Sequence, residues 1–137
     1  MTIEQSDDLK LIEAFLSWMQ KNKKDYTITF RGFTTDPDSL FEDAEGKAWY
    51  EQYQRRLSLE QISPEKRGKM MAQANPKFVL RNYLAQEAIQ DAEKSDFTRL
   101  IKLLEVLKNP YAENPEFDDF AKAPPEWGKK LEISCSS

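Results

Sequence analysis

The sequence predicts an all-α fold: a bundle of about five or six helices followed by a proline-rich, mostly irregular C-terminal tail. Apolar residues recur at spacings of three and four along most of the chain, which is the repeat of an amphipathic helix. Several helix starts are marked by a capping residue, twice with proline in the first helical position. Four of the seven prolines lie at or after residue 110, where they oppose long helices and favour extended or turn backbone.

The first helix is expected to begin at Ser6, which can cap it, and to end near Lys23. Asp7 and Asp8 suit the positive end of the helix dipole in its first turn. Its apolar stripe consists of Leu9, Ile12, Phe15, Leu16 and Met19.

A second, short helix is expected after a capping Asp25, and it would carry Tyr26, Phe30 and Phe33. Thr-Ile-Thr at residues 27–29 has low helix propensity, so an isolated strand is the alternative. The stretch TTDPDS at residues 34–39 has the composition of a turn.

Two further helices are predicted, one over residues 45–57 and one that Ser63 caps and Pro64 opens. The stripe of the first comprises Trp49, Tyr53, Arg56 and Leu57, and the second runs through Met70 and Met71.

Asn75 and Pro76 repeat the Ser-Pro signal and predict a long helix to about Lys94. Ser95 or Asp96 then caps a last helix that ends before residue 109. The buried face of the long helix would comprise Phe78, Leu80, Tyr83, Leu84, Ala88 and Ile89, and that of the last helix Phe97, Leu100, Ile101, Leu104 and Leu107.

A chain of 137 residues with 39% hydrophobic residues suits one compact domain. Residues 1–108 are expected to form a helical body, and residues 109–137 a tail that packs on this body. The apolar anchors available to the tail are Phe117, Phe120 and Trp127, with Pro124 and Pro125 beside the tryptophan.

Composition excludes several classes of partner. The net charge is −4 and the basic residues are scattered, which argues against nucleic acid because phosphate binding needs a concentrated basic face. The N-terminal residues lack the pattern of a signal peptide, and no apolar stretch approaches the ~18 residues that a membrane span needs. We therefore expect a cytoplasmic protein without a membrane partner.

Few residues suggest chemistry. The chain has no histidine, and its four glycines never approach the spacing of a phosphate-binding loop. Arg81 and Asn82 could contact a nucleotide or a partner, or they could form polar contacts along the side of a docked helix. Cys135, the one cysteine, cannot form an internal disulfide; it is either an inert space filler or a reactive thiol.

Four stretches together resemble a known family. They are KDYTITFRGF at residues 24–33, QANPKFVLRNYLAQEAI at 73–89, NPY at 109–111 and PPEWGKKLEISCSS at 124–137. The chain is similar over nearly its whole length to the C-terminal end of the selenoprotein O family, bacterial YdiU type. The similarity is weakest between residues 34 and 62.

The resemblance implies a piece of a longer enzyme with a protein-kinase-like, or pseudokinase, fold. Such enzymes transfer AMP from ATP to protein hydroxyls with Mg²⁺ or Mn²⁺. The position of Cys135 is selenocysteine in some members, with a second cysteine three residues earlier; here that earlier residue is Glu132. The resemblance thus makes Cys135 a redox candidate, Pro124, Pro125 and Trp127 tail anchors, and Arg81 and Asn82 possible inter-domain contacts.

Kinase-like catalysis needs metal-binding Asp and Asn residues, and this sequence contains no DFG motif and no catalytic loop. We therefore expect no catalytic, cofactor or metal residue in this chain, and partners in the kinase-like remainder of the parent and its protein substrates. The alternative is a stand-alone helical protein-interaction module. A small metal-dependent hydrolase is disfavoured by the absence of histidine.

Overall fold

The computed structural model describes residues 6–131, and these residues form seven α-helices and one 3₁₀ helix, with no strand among them. The predicted all-α class is confirmed, with more helices than the five or six expected. The helices are α1 (Ser6–Lys21), α2 (Tyr26–Thr35), α3 (Pro37–Leu40), α4 (Ala44–Leu57), α5 (Pro64–Ala74), α6 (Asn82–Glu93), α7 (Thr98–Leu107) and the 3₁₀ helix (Pro115–Ala121).

The chain divides into two compact units, residues 1–74 with α1 to α5 and residues 75–137 with α6, α7 and the 3₁₀ helix. The division falls directly after α5. The expected single domain, with a helical body up to residue 108 and a tail after it, stays a prediction.

Unit 1 has an aromatic core. The spacing of Phe15, Trp18 and Met19 places them on one face of α1, and Trp49 and Tyr53 lie one turn apart on α4. The Phe15 and Trp49 rings stack with 4.5 Å between their centroids. The two helices pack through these rings, which together with Phe41 exclude water from the centre of the unit.

The two buried indole N–H groups of this core, those of Trp18 and Trp49, have hydrogen-bond partners. Asp43 caps α4 by accepting a hydrogen bond from the Gly46 backbone N–H at 2.9 Å, and it also accepts the Trp18 indole N–H at 3.0 Å. Hydrogen bonding from the Gly46 N–H lowers the pKa of Asp43 below its ordinary value; burial opposes this with a smaller effect, and the Trp18 bond adds a still smaller lowering. The Trp49 indole N–H donates to the Leu11 carbonyl at 2.8 Å.

The predicted stripe of α1 is partly wrong, because Leu9 and Leu16 are exposed while Trp18 and Asp8 are buried. The buried face is turned towards these two residues for a physical reason. The Trp18 indole N–H donates to Asp43, which caps α4, and the Asp8 carboxylate accepts a hydrogen bond from Arg56 of α4.

The short helices of unit 1 follow their capping signals. Residues 26–35 are helical, as preferred over a strand, and the Asp25 carboxylate accepts the Ile28 N–H at 2.9 Å. The expected turn at residues 34–39 contains a one-turn helix instead, since Asp36 caps it and Pro37 opens it. Ser63 accepts the Lys66 N–H at 3.3 Å, as the Ser-Pro signal predicted for α5.

The predicted helix from Pro76 is wrong over residues 76–81, and α6 begins only at Asn82. The N–H groups of Lys77 and Phe78 both donate to the Pro110 carbonyl, at 2.8 and 3.1 Å. The Phe78 ring is buried with Val106 and Phe117. Tertiary burial of one phenylalanine therefore holds this segment out of the helix that its Asn-Pro start favours.

The predicted buried face of α7 is also wrong for four of its five residues. Leu103 and Val106 are buried in unit 2, and Leu107 is partly buried. Phe97, Leu100, Ile101 and Leu104 are exposed, as are Leu80 and Ile89 of the predicted α6 face.

Candidate functional site

The start of α6 contacts the C-terminal segment at residues 124–131. Tyr83, one residue into the helix, is buried, and its ring meets the edge of Trp127 at a centroid distance of 6.0 Å and an interplanar angle of 86°. The edge-to-face arrangement suits the opposite charges of ring edge and ring face. Trp127 itself remains about half exposed.

A compact turn brings the segment against Tyr83. The Pro125 carbonyl accepts hydrogen bonds from the N–H groups of Gly128, at 2.9 Å, and Lys129, at 3.2 Å. The Asn82 side-chain amide donates to the Leu131 carbonyl at 3.3 Å. Contacts at both ends of the turn thus connect residues 125–131 to the first turn of α6.

Each predicted site residue can now be located. Asn82 contacts the tail, Arg81 is a partly buried residue at the N-cap of α6, and Pro124 and Pro125 are partly buried beside the turn. The roles of these residues and of Trp127 as inter-domain contacts or anchors stay predictions. Cys135 lies outside the described residues.

Burial raises the pKa of the Tyr83 hydroxyl; the positive charge of Arg81 opposes this effect, and the negative charge of Glu87 supports it. Tyr83 is therefore a neutral phenol at ordinary pH, suited to packing rather than to a proton-transfer role.

Gly128 is the residue of this site that sequence reasoning missed. A Cβ at position 128 would lie 2.7 Å from the Cβ of Tyr83, closer than two carbons approach without displacement. Only glycine allows the turn to lie directly on Tyr83. The signal in the sequence was the glycine next to Trp127, which composition alone did not separate from the other three glycines, all of them in helices.

Replacing Gly128 with alanine is expected to destabilise the turn by about 1–3 kcal/mol, because the new methyl group overpacks against Tyr83. Amide hydrogen exchange at residues 128 and 129 measures this effect, since both N–H groups bond to Pro125. Gly68→Ala is the matched control: nothing lies within 4 Å of its new methyl, and alanine is favoured by up to about 1 kcal/mol in a helix. Unchanged exchange in Gly128→Ala would contradict the close approach.

Lys77 connects the segment before α6 to the start of the 3₁₀ helix. Its ammonium group donates to the carboxylates of Asp118, at 2.7 Å, and Glu113, at 3.2 Å. Burial alone would lower the pKa of Lys77, but the hydrogen bonds to Asp118 and Glu113 outweigh it and raise the pKa. The ammonium is therefore charged at neutral pH and acts as a fixed connection rather than as a base.

A buried ionic cluster in unit 1 was also missed. The Arg56 guanidinium makes two hydrogen bonds to Asp8, Nε to Oδ1 at 2.5 Å and Nη2 to Oδ2 at 2.9 Å. Glu60 lies 3.5 Å from Arg56 and 3.8 Å from Arg67. An arginine in the apolar stripe of α4 was the available signal, because a buried guanidinium needs a carboxylate partner.

A family model described as "Protein adenylyltransferase SelO" matches residues 1–108, most of the chain. The chain belongs to this family.

Curated relatives extend the match through nearly the whole chain of this SelO family member. A protein nucleotidyltransferase YdiU from Vibrio parahaemolyticus is 44% identical over 146 aligned residues, which cover 96% of this chain and 30% of the relative. A relative of the same name from Yersinia pseudotuberculosis is 45% identical over 141 residues, covering 96% of this chain and 29% of the relative. The chain thus spans about 30% of the length of the relatives that it matches.

In the described part of this SelO family chain, the candidate site is built from packing and charge contacts. Within residues 6–131 no group of three or more histidine, cysteine, aspartate or glutamate side chains is arranged to hold a metal ion. The same residues contain no helix that is long and apolar enough to cross a membrane.

Proposed function

We propose that this chain is the C-terminal helical part of a protein adenylyltransferase, and that it supports the kinase-like lobes of the parent without catalysing transfer itself. The observation that carries the proposal is the family match to most of a chain that spans only about 30% of its relatives. The family is named for a protein adenylyltransferase, and its relatives are named protein nucleotidyltransferases.

The activity proposed for the parent is transfer of AMP from ATP to serine, threonine or tyrosine hydroxyls of proteins. The hydroxyl oxygen forms a bond to the α-phosphorus of ATP, the bond from that phosphorus to the bridging oxygen breaks, and pyrophosphate leaves with the hydroxyl proton passing to solvent. ATP and Mg²⁺ or Mn²⁺ would bind in the part of the parent outside this chain. The protein substrates and a cytoplasmic location belong to the same proposal.

The supporting role has a structural argument in unit 2. The Asn82 bond to Leu131 and the contact of Gly128 with Tyr83 join the C-terminal segment to α6, and Lys77 joins the segment before α6 to the 3₁₀ helix. These contacts hold backbone segments in place. Lys77 is charged and Tyr83 is neutral at ordinary pH, and these states favour the ion pairs and the ring packing that the contacts use. A supporting element needs this arrangement, whereas a catalytic element needs groups available to react.

Incubation with ATP labelled on the α-phosphate, Mg²⁺ and acceptor proteins tests the proposal directly. We expect the parent protein to label acceptors and the purified 137-residue chain to leave them unlabelled. AMP incorporation by the chain alone would contradict the supporting role, and absence of incorporation by the parent would contradict the activity.

A redox role of Cys135 is a further part of the proposal. Since the chain has one cysteine, a disulfide of Cys135 must form with a thiol elsewhere in the parent or in another protein, and an external oxidant must accept the two electrons. Cys135→Ser in the parent is expected to make AMP transfer insensitive to oxidised and reduced glutathione. Equal sensitivity of wild type and variant would exclude gating by this thiol.

A further inference from the structure

Helix α7 carries apolar side chains over more than half of its circumference, with Thr98, Lys102 and Glu105 along the remaining strip. Leu103 and Val106 are buried inside unit 2. The opposite side presents four residues at spacings of three and four, which we term the α7 outer face. They are Phe97, Leu100, Ile101 and Leu104, with 51%, 38%, 61% and 57% of their surfaces exposed.

An apolar helix face normally packs against another part of a protein, because apolar surface that stays in water forgoes the free energy of burial. Single exposed leucines are ordinary, but a contiguous apolar patch marks an interaction site. The α7 outer face has this contiguity, since its residues are neighbours on consecutive turns. The same residues made the sequence predict a buried stripe here.

The helix that carries the face is held rigidly. Arg99 bonds to Asp91 and Glu87 of α6, each at 2.9 Å. The turn before α7 is closed by bonds from the N–H groups of Ser95 to Ala92 and of Asp96 to Asp91, both at 2.9 Å. The outer face is therefore a preformed surface, which lowers the entropic cost of docking.

We propose that the α7 outer face docks against the part of the parent polypeptide that lies outside these 137 residues, through an apolar surface on that part. The inference rests on the proposed function, in which this chain is a piece of a longer protein. Its support is length: more than two thirds of each relative quoted above lies outside the region that this chain matches.

The size of the face favours this occupant over a second copy of the chain. A helix of ten residues is ~15 Å long, so one of its faces offers a few hundred Å² at most. A stable complex between separate proteins buries about 1,200–2,000 Å² in total. A small face is sufficient when the partner belongs to the same polypeptide, because covalent linkage raises the effective concentration to the millimolar range or above.

Hydroxyl-radical footprinting read by mass spectrometry tests the docking. The 137-residue chain and the whole parent protein are oxidised under the same dose, and modification of the four outer-face residues is compared. We expect modification to be at least about fivefold lower in the parent. Equal modification in both would overturn the proposal.

Two further results would also overturn it. If protection of the outer face in the chain alone increases with the chain's concentration, a second copy is the occupant. If the face is protected equally at every concentration, the chain itself covers it. An AMP-transfer assay on the same parent preparation separates the two proposals. Protection without transfer refutes the activity alone, and transfer without protection refutes the docking alone.

A matched pair of variants adds a second measurement. Ile101→Glu and Lys102→Glu place a glutamate at adjacent exposed positions of α7, but only position 101 belongs to the outer face. We expect Ile101→Glu to lower the Tm of the parent by at least about 2 °C and to leave the Tm of the chain unchanged. Lys102→Glu should leave both unchanged, and equal effects of the two variants in the parent would contradict the docking.

Discussion

Replacing Asp8 with alanine is expected to lower the free energy of unfolding of unit 1 by about 3–5 kcal/mol. Asp8 is 1% exposed, and both of its carboxylate oxygens accept hydrogen bonds from Arg56, at 2.5 and 2.9 Å. Removing the carboxylate leaves the guanidinium beside Glu60, at 3.5 Å, without its bidentate partner. Breaking one side of a buried pair costs more than the net contribution of the pair, because the remaining charge stays poorly solvated.

Asp7→Ala is a closely matched control. Both residues lie in the first turn of α1, so both removals change the interaction with the helix dipole in the same way. Asp7 pairs with Lys10 at 3.2 Å, and its side chain is 81% exposed. An exposed pair of this kind contributes only about 0–1 kcal/mol.

Urea denaturation followed by amide hydrogen exchange in α1 and α4 measures the two variants in unit 1. The double variant Asp8→Leu with Arg56→Met should recover much of the loss, because an apolar pair of similar volume can replace a buried ionic pair. A loss in Asp8→Ala no larger than that in Asp7→Ala would show that the Arg56 guanidinium finds solvent when Asp8 is removed.

The sequence was sufficient for the features that local interactions decide. The all-α class, the cap of α2 by Asp25 and the Ser63 start of α5 depend on bonds between residues a few positions apart, and local pattern predicts them. Asp8 shows the limit of this reasoning. An aspartate in a first turn is explained locally by the helix dipole, while its burial depends on Arg56, 48 residues later in the chain.

The site of unit 2 was less accessible to prediction for the same reason. Asn82 and Trp127 were singled out, but the restriction at Gly128 comes from Tyr83, a distant residue in the sequence. Periodicity identified α7 correctly and assigned its buried face wrongly. The apolar face of α7 is wider than one packing contact covers, and the part of it that is buried depends on what packs against the helix.

Replacing Phe78 with alanine is expected to lower the free energy of unfolding of unit 2 by about 3–5 kcal/mol. The ring is 1% exposed and packs with Val106 and Phe117, so its removal leaves a cavity between α7 and the 3₁₀ helix. The loss also weakens the two backbone bonds from Lys77 and Phe78 to Pro110, since the buried ring holds this segment in place. Urea denaturation with hydrogen exchange read at the amides of α6 and α7 measures the effect within unit 2.

Phe97→Ala is the control, because it removes the same ring from a residue of unit 2 that is about half exposed. In the 137-residue chain the substitution should change stability by no more than about 0.5–1 kcal/mol, since little apolar area returns to water. In the parent protein the same substitution should cost more, because the α7 outer face is docked there. Equal losses for Phe78→Ala and Phe97→Ala in the chain alone would show that position 97 is already buried, which the exposure of α7 contradicts. If Phe97→Ala costs as much stability as Phe78→Ala in the parent but not in the chain alone, then Phe78 belongs to the core of unit 2 and Phe97 to the surface by which unit 2 attaches to the parent.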